Sequence, residues 1–228
     1  TVTHELRTPM TSIRAFSEIL GDNPNLETEQ RAKFLGIITR ESERLTRLIN
    51  QVLDLAKIES GAAEWNPSAL DIREVIEEAT TALSQIYKER GIRLSTDLPD
   101  GLPVVYADRD RIFQVVLNLL SNAANFCDKP ESHVHVALAL ENTALRIDVT
   151  DNGIGISAAD QNVIFEKFRQ VSDDASGKPK GSGLGLAISR EIVQHYKGRL
   201  WVVSALGVGS TFSFTLPLPR SKLAFLAA

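Results

Sequence analysis

From Thr3 to about Leu20 the apolar residues Leu6, Met10, Ile13, Phe16 and Leu20 recur at spacings of three and four, which predicts an amphipathic helix. The stretch Gly21 to Asn25, with Pro24, breaks the pattern and predicts a turn. A second helix is predicted from about Glu27 to Ser60, where Ile38, Leu45 and Val52 repeat every seven residues and Leu48 and Leu55 fill the alternate positions. Together these make a helical hairpin with one long apolar seam. Two helices alone bury such a seam poorly, so a second copy of the chain is expected to complete a four-helix bundle as a homodimer. Pro9 lacks an N–H and its ring crowds the carbonyl of Glu5, so a bend is expected in the first helix.

Gly61 to Ala63 and then Pro67 end the helical region, and the texture changes beyond them. A helix is predicted near Asp71 to Arg90, short strands near Ile92 to Thr96 and Val104 to Ala107, and a strongly apolar helix from Arg109 to Phe126. A hairpin follows, with Val134, Val136, Leu138 and Leu140 alternating in one strand and Leu145, Ile147 and Val149 in its partner. Residues 157–182 are polar and glycine-rich with little periodicity, a longer structureless stretch than compact domains usually carry, and are expected to form a lid. A helix from about Leu184 to Tyr196 and two strands ending at Pro217 complete the pattern. The fold class is therefore an α-helical hairpin forming a dimeric four-helix bundle, followed by an α+β two-layer sandwich, with domains at residues 1–62 and 68–219.

Composition narrows the function classes. At 228 residues and 43% hydrophobic, the chain can bury two cores. Its 25 basic and 29 acidic residues give a net charge of -4, without a basic run, which argues against a nucleic-acid partner. A single cysteine, Cys127, cannot form an internal disulfide, which suits a reducing cytoplasm. The chain contains no apolar stretch long enough to span a membrane, so any membrane attachment, for instance of a parent protein in the inner membrane, would come from segments absent from it. Its opening only three residues before His4 suggests a fragment of a longer protein. His133 and His135 alternate on a strand without further ligands nearby, too few for a metal site.

Four separated segments carry candidate chemistry. Asn118 and Asn122 stand four apart on one helical face, and an amide oxygen is a hard, neutral ligand suited to a Mg²⁺ that carries phosphates and waters; they can equally be polar residues flanking a buried helix. Asp151, with Gly153 and Gly155 after it, ends a strand where a carboxylate can accept the exocyclic amine of adenine, or where an ordinary turn can form. Gly181, Ser182, Gly183, Leu184, Gly185 and Leu186 follow the long loop and open a helix, presenting backbone N–H groups to an anion, although flexible loops are also glycine-rich. The spacing is neither that of a Walker A loop nor that of a dinucleotide-binding fingerprint. Gly207 to Phe214 is a glycine turn feeding a strand whose Phe212 and Phe214 point into the core, and alone it is structural.

In their order these segments resemble the histidine kinase family, whose ATP-binding fold is shared with type II topoisomerases, mismatch-repair ATPases and a heat-shock chaperone. Thr3 to Pro9 resembles its H box, Asn118 to Phe126 its N box, Asp151 to Gly155 its G1 box, Phe165 to Phe168 its F box, Gly181 to Gly185 its G2 box, and the Gly207 to Phe214 strand its closing glycine motif. The match covers nearly the whole chain.

The resemblance implies a histidine kinase-like ATPase fold that binds ATP and Mg²⁺, autophosphorylates His4 and passes the phosphoryl group to an aspartate on a response-regulator receiver domain. Nucleotide-binding positions implied are Asn118, Asn122, Asn125, Phe126, Asp151, Gly153, Gly155, Phe168, Lys180, Gly181, Ser182, Gly183, Leu184, Gly185, Leu186 and Thr211, with Asn122 as the metal ligand. Glu5 can hold the proton on the other ring nitrogen of His4 while that imidazole acts as nucleophile. Thr8, four residues on and on the same helical face, matches the position for orienting a water in phosphatase activity toward the regulator. Asn118 stands where the related ATPases have a water-activating glutamate, so ATP hydrolysis is expected to be slow. One departure concerns charge: Asn125 replaces the family's usual phosphate-contacting lysine, and Lys178 and Lys180 are the candidates to compensate. A plain ATPase and a catalytically inert scaffold are the rival functions. The tail after Pro219 has no evident role.

Overall fold

The structure, a computed structural model, describes residues 2–127, 129, 131–169 and 182–219. It divides into two compact units, the first ending at Gly61 and the second beginning at Ala62.

The first unit is a hairpin of α1 (Val2–Asp22) and α2 (Thr28–Glu59). Helix α1 runs through Pro9 without a break, and Pro9 is buried. Leu48 and Leu55 of the heptad seam are buried, and Phe16 packs against Phe34 with ring centroids 5.2 Å apart. Other apolar side chains of the hairpin remain exposed, Met10 to 58% and Leu53 to 55%. Among the described residues no helix is long and apolar enough to cross a membrane.

The second unit contains β1 (Ser68–Leu70), α3 (Ile72–Glu89), β2 (Arg93–Asp97), β3 (Val105–Ala107), α4 (Arg109–Phe126), β4 (His133–Glu141), β5 (Ala144–Asp151), α5 (Gly185–His195), β6 (Leu200–Ala205) and β7 (Gly209–Pro217). Five strands form one sheet in the order β2-β4-β5-β7-β6, parallel only between β2 and β4, while β1 and β3 pair separately. Helices α3, α4 and α5 form the second layer, with α4 in the middle against β4 and β5. This is the α+β sandwich the sequence predicts.

Local chemistry explains why the helices begin where they do. Asp71 caps α3 by accepting from Arg73 N, and Asp108 caps α4 by accepting from Asp110 N and Arg111 N; such caps stabilise by about 1 kcal/mol each. The other Asp108 oxygen accepts from Asn66 N at 2.8 Å, which fixes the segment before β1 onto the unit. Beside it Trp65 stacks on His195 with centroids 3.7 Å apart, and the Arg111 guanidinium lies 5.5 Å from the Trp65 ring. Between the layers lie Ile112, Val115, Val116, Leu119 and Leu120 of α4, Val134 and Val136 of β4, Ile147 and Val149 of β5, and Phe214 of β7, all buried.

One expectation needs correction, and one strand lies beyond the sequence pattern. Strand β1 has no signature in the sequence, because three residues are too few to show alternation. Residues 157–182 are not structureless throughout: Val163–Phe165 form a turn of 3₁₀-helix, with Ile164 and Phe165 buried and Phe165 edge-on to Phe212 at 6.4 Å. Their apolar anchoring places this turn in the core. The remainder of the expected lid, residues 170–181, and the tail from Arg220 lie outside the described residues.

Phe214 is fully buried at the centre of the sheet, so Phe214→Ala is expected to lower the unfolding free energy of this unit by about 3–5 kcal/mol. Denaturant titration followed by tryptophan fluorescence reads this directly, since both tryptophans, Trp65 and Trp201, belong to the second unit.

Candidate active site

The apolar flank of α4 is buried, and its neighbouring flank carries Asn118, Asn122 and Asn125 at helical spacing. Asn118 Nδ2 donates to Ser189 Oγ of α5 at 3.0 Å. The start of α5 lies so close that a Cβ on Gly185 would sit 2.2 Å from Asn118 Oδ1. Asn122 is half-buried, and among the described residues its amide has no hydrogen-bond partner. Asn125 Oδ1 accepts from Arg90 Nη1 at 3.0 Å.

The turn after β5 is threaded beside the end of α4. Asp151 is 7% exposed, and its Oδ1 accepts from Gly153 N at 2.9 Å. Burial pushes its carboxyl above the usual aspartate range, opposed by backbone N–H groups of Gly153 and Ser210 and by the charges of Lys129 and His133. Ile154 N donates to Phe126 O, and Gly207 N to Ile154 O, so the turn is held between α4 and the β6–β7 connection. Gly155 has φ +71, and a Cβ there would lie 2.0 Å from the carbonyl oxygen of Ala205; both facts require glycine. Phe168, at φ 60, donates its N–H to Gly183 O at 2.8 Å, which joins the segment after the 3₁₀ turn to the start of α5.

The structure thus brings Asn118 to Gly185, Phe126 to Asp151 and Gly153, and Phe168 to Gly183, all within the second unit. Leu184 is fully buried and its N–H donates to Ser182 Oγ at 3.2 Å, while Leu186 lies within α5. Lys178, Lys180 and Gly181 lie outside the described residues. Thr211 is not beside Asp151: the β5–β7 register pairs it with Thr150, whose hydroxyl lies 3.0 Å from its own, on the opposite face of the sheet. Ser210 is the partner of Asp151 and shares its face. The sequence carries a signal for this, since Phe212 and Phe214 point into the core and strand alternation puts position 210 with them.

His4 stands on α1 with its side chain 75% exposed. Its Nδ1 is 4.0 Å from Glu5 Oε1, an ion-pair distance and not a hydrogen bond, while Glu5 Oε2 lies 3.8 Å from Arg44 Nη2 of α2. Thr8 Oγ1 donates to His4 O at 3.3 Å. His135 Nδ1 lies 2.9 Å from Ser95 Oγ, and no cluster of metal-ligating side chains occurs among the described residues.

A helical hairpin bearing an exposed histidine, joined to a sandwich with an amide-lined, glycine-flanked site, defines a two-part class that matches known proteins. Residues 107–220 match the family described as "Histidine kinase-, DNA gyrase B-, and HSP90-like ATPase", and residues 1–61 the "His Kinase A (phospho-acceptor) domain". The chain belongs to the sensor histidine kinase family.

Sensor histidine kinase WalK of Bacillus subtilis is 36% identical over 97% of this chain and 36% of its own length. Among solved structures, full-length ShkA in complex with AMPPNP is 29% identical with TM-score 0.71, over 95% of this chain and 44% of that one. Histidine kinase ThkA in complex with response regulator protein TrrA is 25% identical with TM-score 0.76, over 97% of this chain and 61% of that one. The chain spans 12% to 57% of the length of the curated relatives it matches.

Gly155→Ala adds a Cβ against a backbone carbonyl in a left-handed conformation, so the turn or the β6–β7 connection must move. The expected loss is roughly 1–3 kcal/mol of stability in the second unit, read by denaturant titration.

Proposed function

We propose that this chain is an autokinase that transfers the γ-phosphoryl group of Mg-ATP to His4 and then to an aspartate of a response-regulator receiver domain. The observation that carries the nucleotide half is the convergence of the Asn118–Gly185 contact with the buried Asp151. A helix start with glycine-exposed N–H groups suits phosphate oxygens, and a carboxylate out of water suits one adenine amine. ShkA, a similar protein, binds AMPPNP, which supports the same ligand class here.

Asn122 fits a Mg²⁺ that retains waters and phosphates, because its half-buried amide oxygen is a hard, neutral donor without another partner among the described residues. When bound, the ion would neutralise charge on the phosphates. Asn118 has no basicity with which to activate water, so the site favours transfer over hydrolysis. The lone pair of neutral His4 attacks phosphorus, the bond to the β–γ bridging oxygen breaks, and ADP leaves with that electron pair. With Nδ1 on the side of Glu5, Nε2 is the nitrogen that attacks, and the carboxylate stabilises the resulting imidazolium. Exposed apolar residues on the hairpin, Met10 and Leu53 among them, support a homodimer closing the seam. ThkA, which forms a complex with its response regulator, supports the receiver-domain partner. The ATP requirement assigns the reaction to the cytoplasm. Phosphatase activity toward the regulator would use Thr8 after it leaves the His4 carbonyl.

Incubation with γ-labelled ATP and magnesium is expected to give acid-labile, base-stable label on protein, and His4→Ala to abolish it. Rapid phosphate release without protein label would instead identify an ATPase. A further expectation concerns pH. The raised Asp151 value means that its protonation favours the nucleotide-free fold as pH falls, whereas the same proton takes away the charge that makes the carboxylate a strong acceptor for the adenine amine. ATP affinity should therefore fall on acidification at a pH above the ordinary aspartate value of about 3.9. Calorimetric titration between about pH 8 and pH 4.5 checks this. Asp151→Asn should bind weakly throughout and lose that pH dependence.

A further inference from the structure

We propose that Arg90 supplies the positive charge that positions the nucleotide's phosphates at the C-terminal end of α4, an inference that rests on the proposed nucleotide site. Arg90 closes α3: its N–H is bonded to Ile86 O, and Gly91 follows at φ 66 to turn the chain away. Its side chain then reaches across to α4, where Nη1 donates to Ala124 O at 2.7 Å and to Asn125 Oδ1 at 3.0 Å. Asn125 lies seven residues after Asn118 and three after Asn122, so the guanidinium is docked at the end of the asparagine row.

That row is neutral by itself, whereas a Mg²⁺-bound triphosphate keeps net negative charge. Lys129, another cation that follows α4, donates from its ammonium to Gly207 O, on the Asp151 side. The Arg90 guanidinium is permanently charged and forked. Among the described residues its Nε and Nη2 make no hydrogen bond, which leaves one edge of the fork for phosphate oxygens. One anchor therefore does two things: it satisfies a terminal carbonyl of α4, and it places a cation at the Asn125 end of the asparagine row.

A purely structural role, capping the end of α4, would stabilise the fold equally for any ligand. Arg90→Gln and Arg90→Lys separate the two, because the shorter glutamine carries no charge whereas the lysine keeps the charge and loses the fork. Calorimetric titration of the full chain with Mg-ATP and, separately, with adenosine gives the ratio of the two affinities for each variant. Arg90→Gln is expected to lower that ratio about tenfold, with adenosine binding unchanged, and Arg90→Lys to keep it within about threefold of the original. The KM for ATP in autophosphorylation should rise in parallel while kcat holds. An unchanged ratio in Arg90→Gln, or one in Arg90→Lys as low as in Arg90→Gln, overturns the proposal. Failure of the unaltered chain to bind Mg-ATP would instead overturn the nucleotide site itself, and this assignment with it.

Discussion

The site depends on one close approach, that of the start of α5 to the amide of Asn118. Gly185 has no room for a side chain there, and Ser189 one turn later accepts the amide N–H, so α4 and α5 are locked in axial register. Everything polar on α4 inherits its position from that lock. The same helix buries Val115, Val116, Leu119, Leu120 and Ala123 on its adjoining flank. Successive helical residues are rotated by about 100°, so any slippage of the apolar flank would swing the asparagine row away from α5. Tight core packing is what makes the polar flank precise.

The other half of the site works by desolvation. A carboxylate buried as deeply as that of Asp151 is costly unless hydrogen bonds compensate, and two backbone N–H groups and nearby positive charge do so only in part, since the net shift is upward. What remains is a strong acceptor with little water to compete for it. Such a group discriminates well between a base that offers an amine and one that does not, because an unmatched partner leaves both sides unpaired. The close backbone packing of the β5 turn against Ala205 and Phe126 keeps it there, and explains why the glycines that permit that packing are part of the chemistry.

Helices and hairpin strands were readable in the sequence because periodicity is a strong physical signal: Leu6 to Leu20 at spacings of three and four, and Val134 to Leu138 in strict alternation. The order of the candidate segments likewise carried the family resemblance. Features that escaped are those without a local signal. Strand β1 has one buried residue, Leu70, and the 3₁₀ turn has only Ile164 and Phe165 to anchor it in a polar stretch. Ser210, not Thr211, shares the face of Asp151, as the parity of Phe212 and Phe214 indicates. The Arg90–Asn125 pair joins residues 35 apart through a side chain on a helix end, and no periodicity encodes that. Asn125 looked like a missing charge in the sequence; in the fold a cation is bonded to it.

The chemistry of the site is selective through what its groups lack. A hydrolase must remove a proton from water as it attacks, and so needs a base near the γ-phosphate. At the polar flank of α4 the sequence offers amides, and the amide of Asn118 is already committed to Ser189. Neutral imidazole needs no such help, because its attacking lone pair carries no proton and the resulting imidazolium can be stabilised by a nearby carboxylate. On the proposed function, a neutral asparagine row therefore protects bound ATP from solvent chemistry until an imidazole arrives. An exposed His4, carried on α1 and unencumbered by a close hydrogen bond to Glu5, is suited to make that approach.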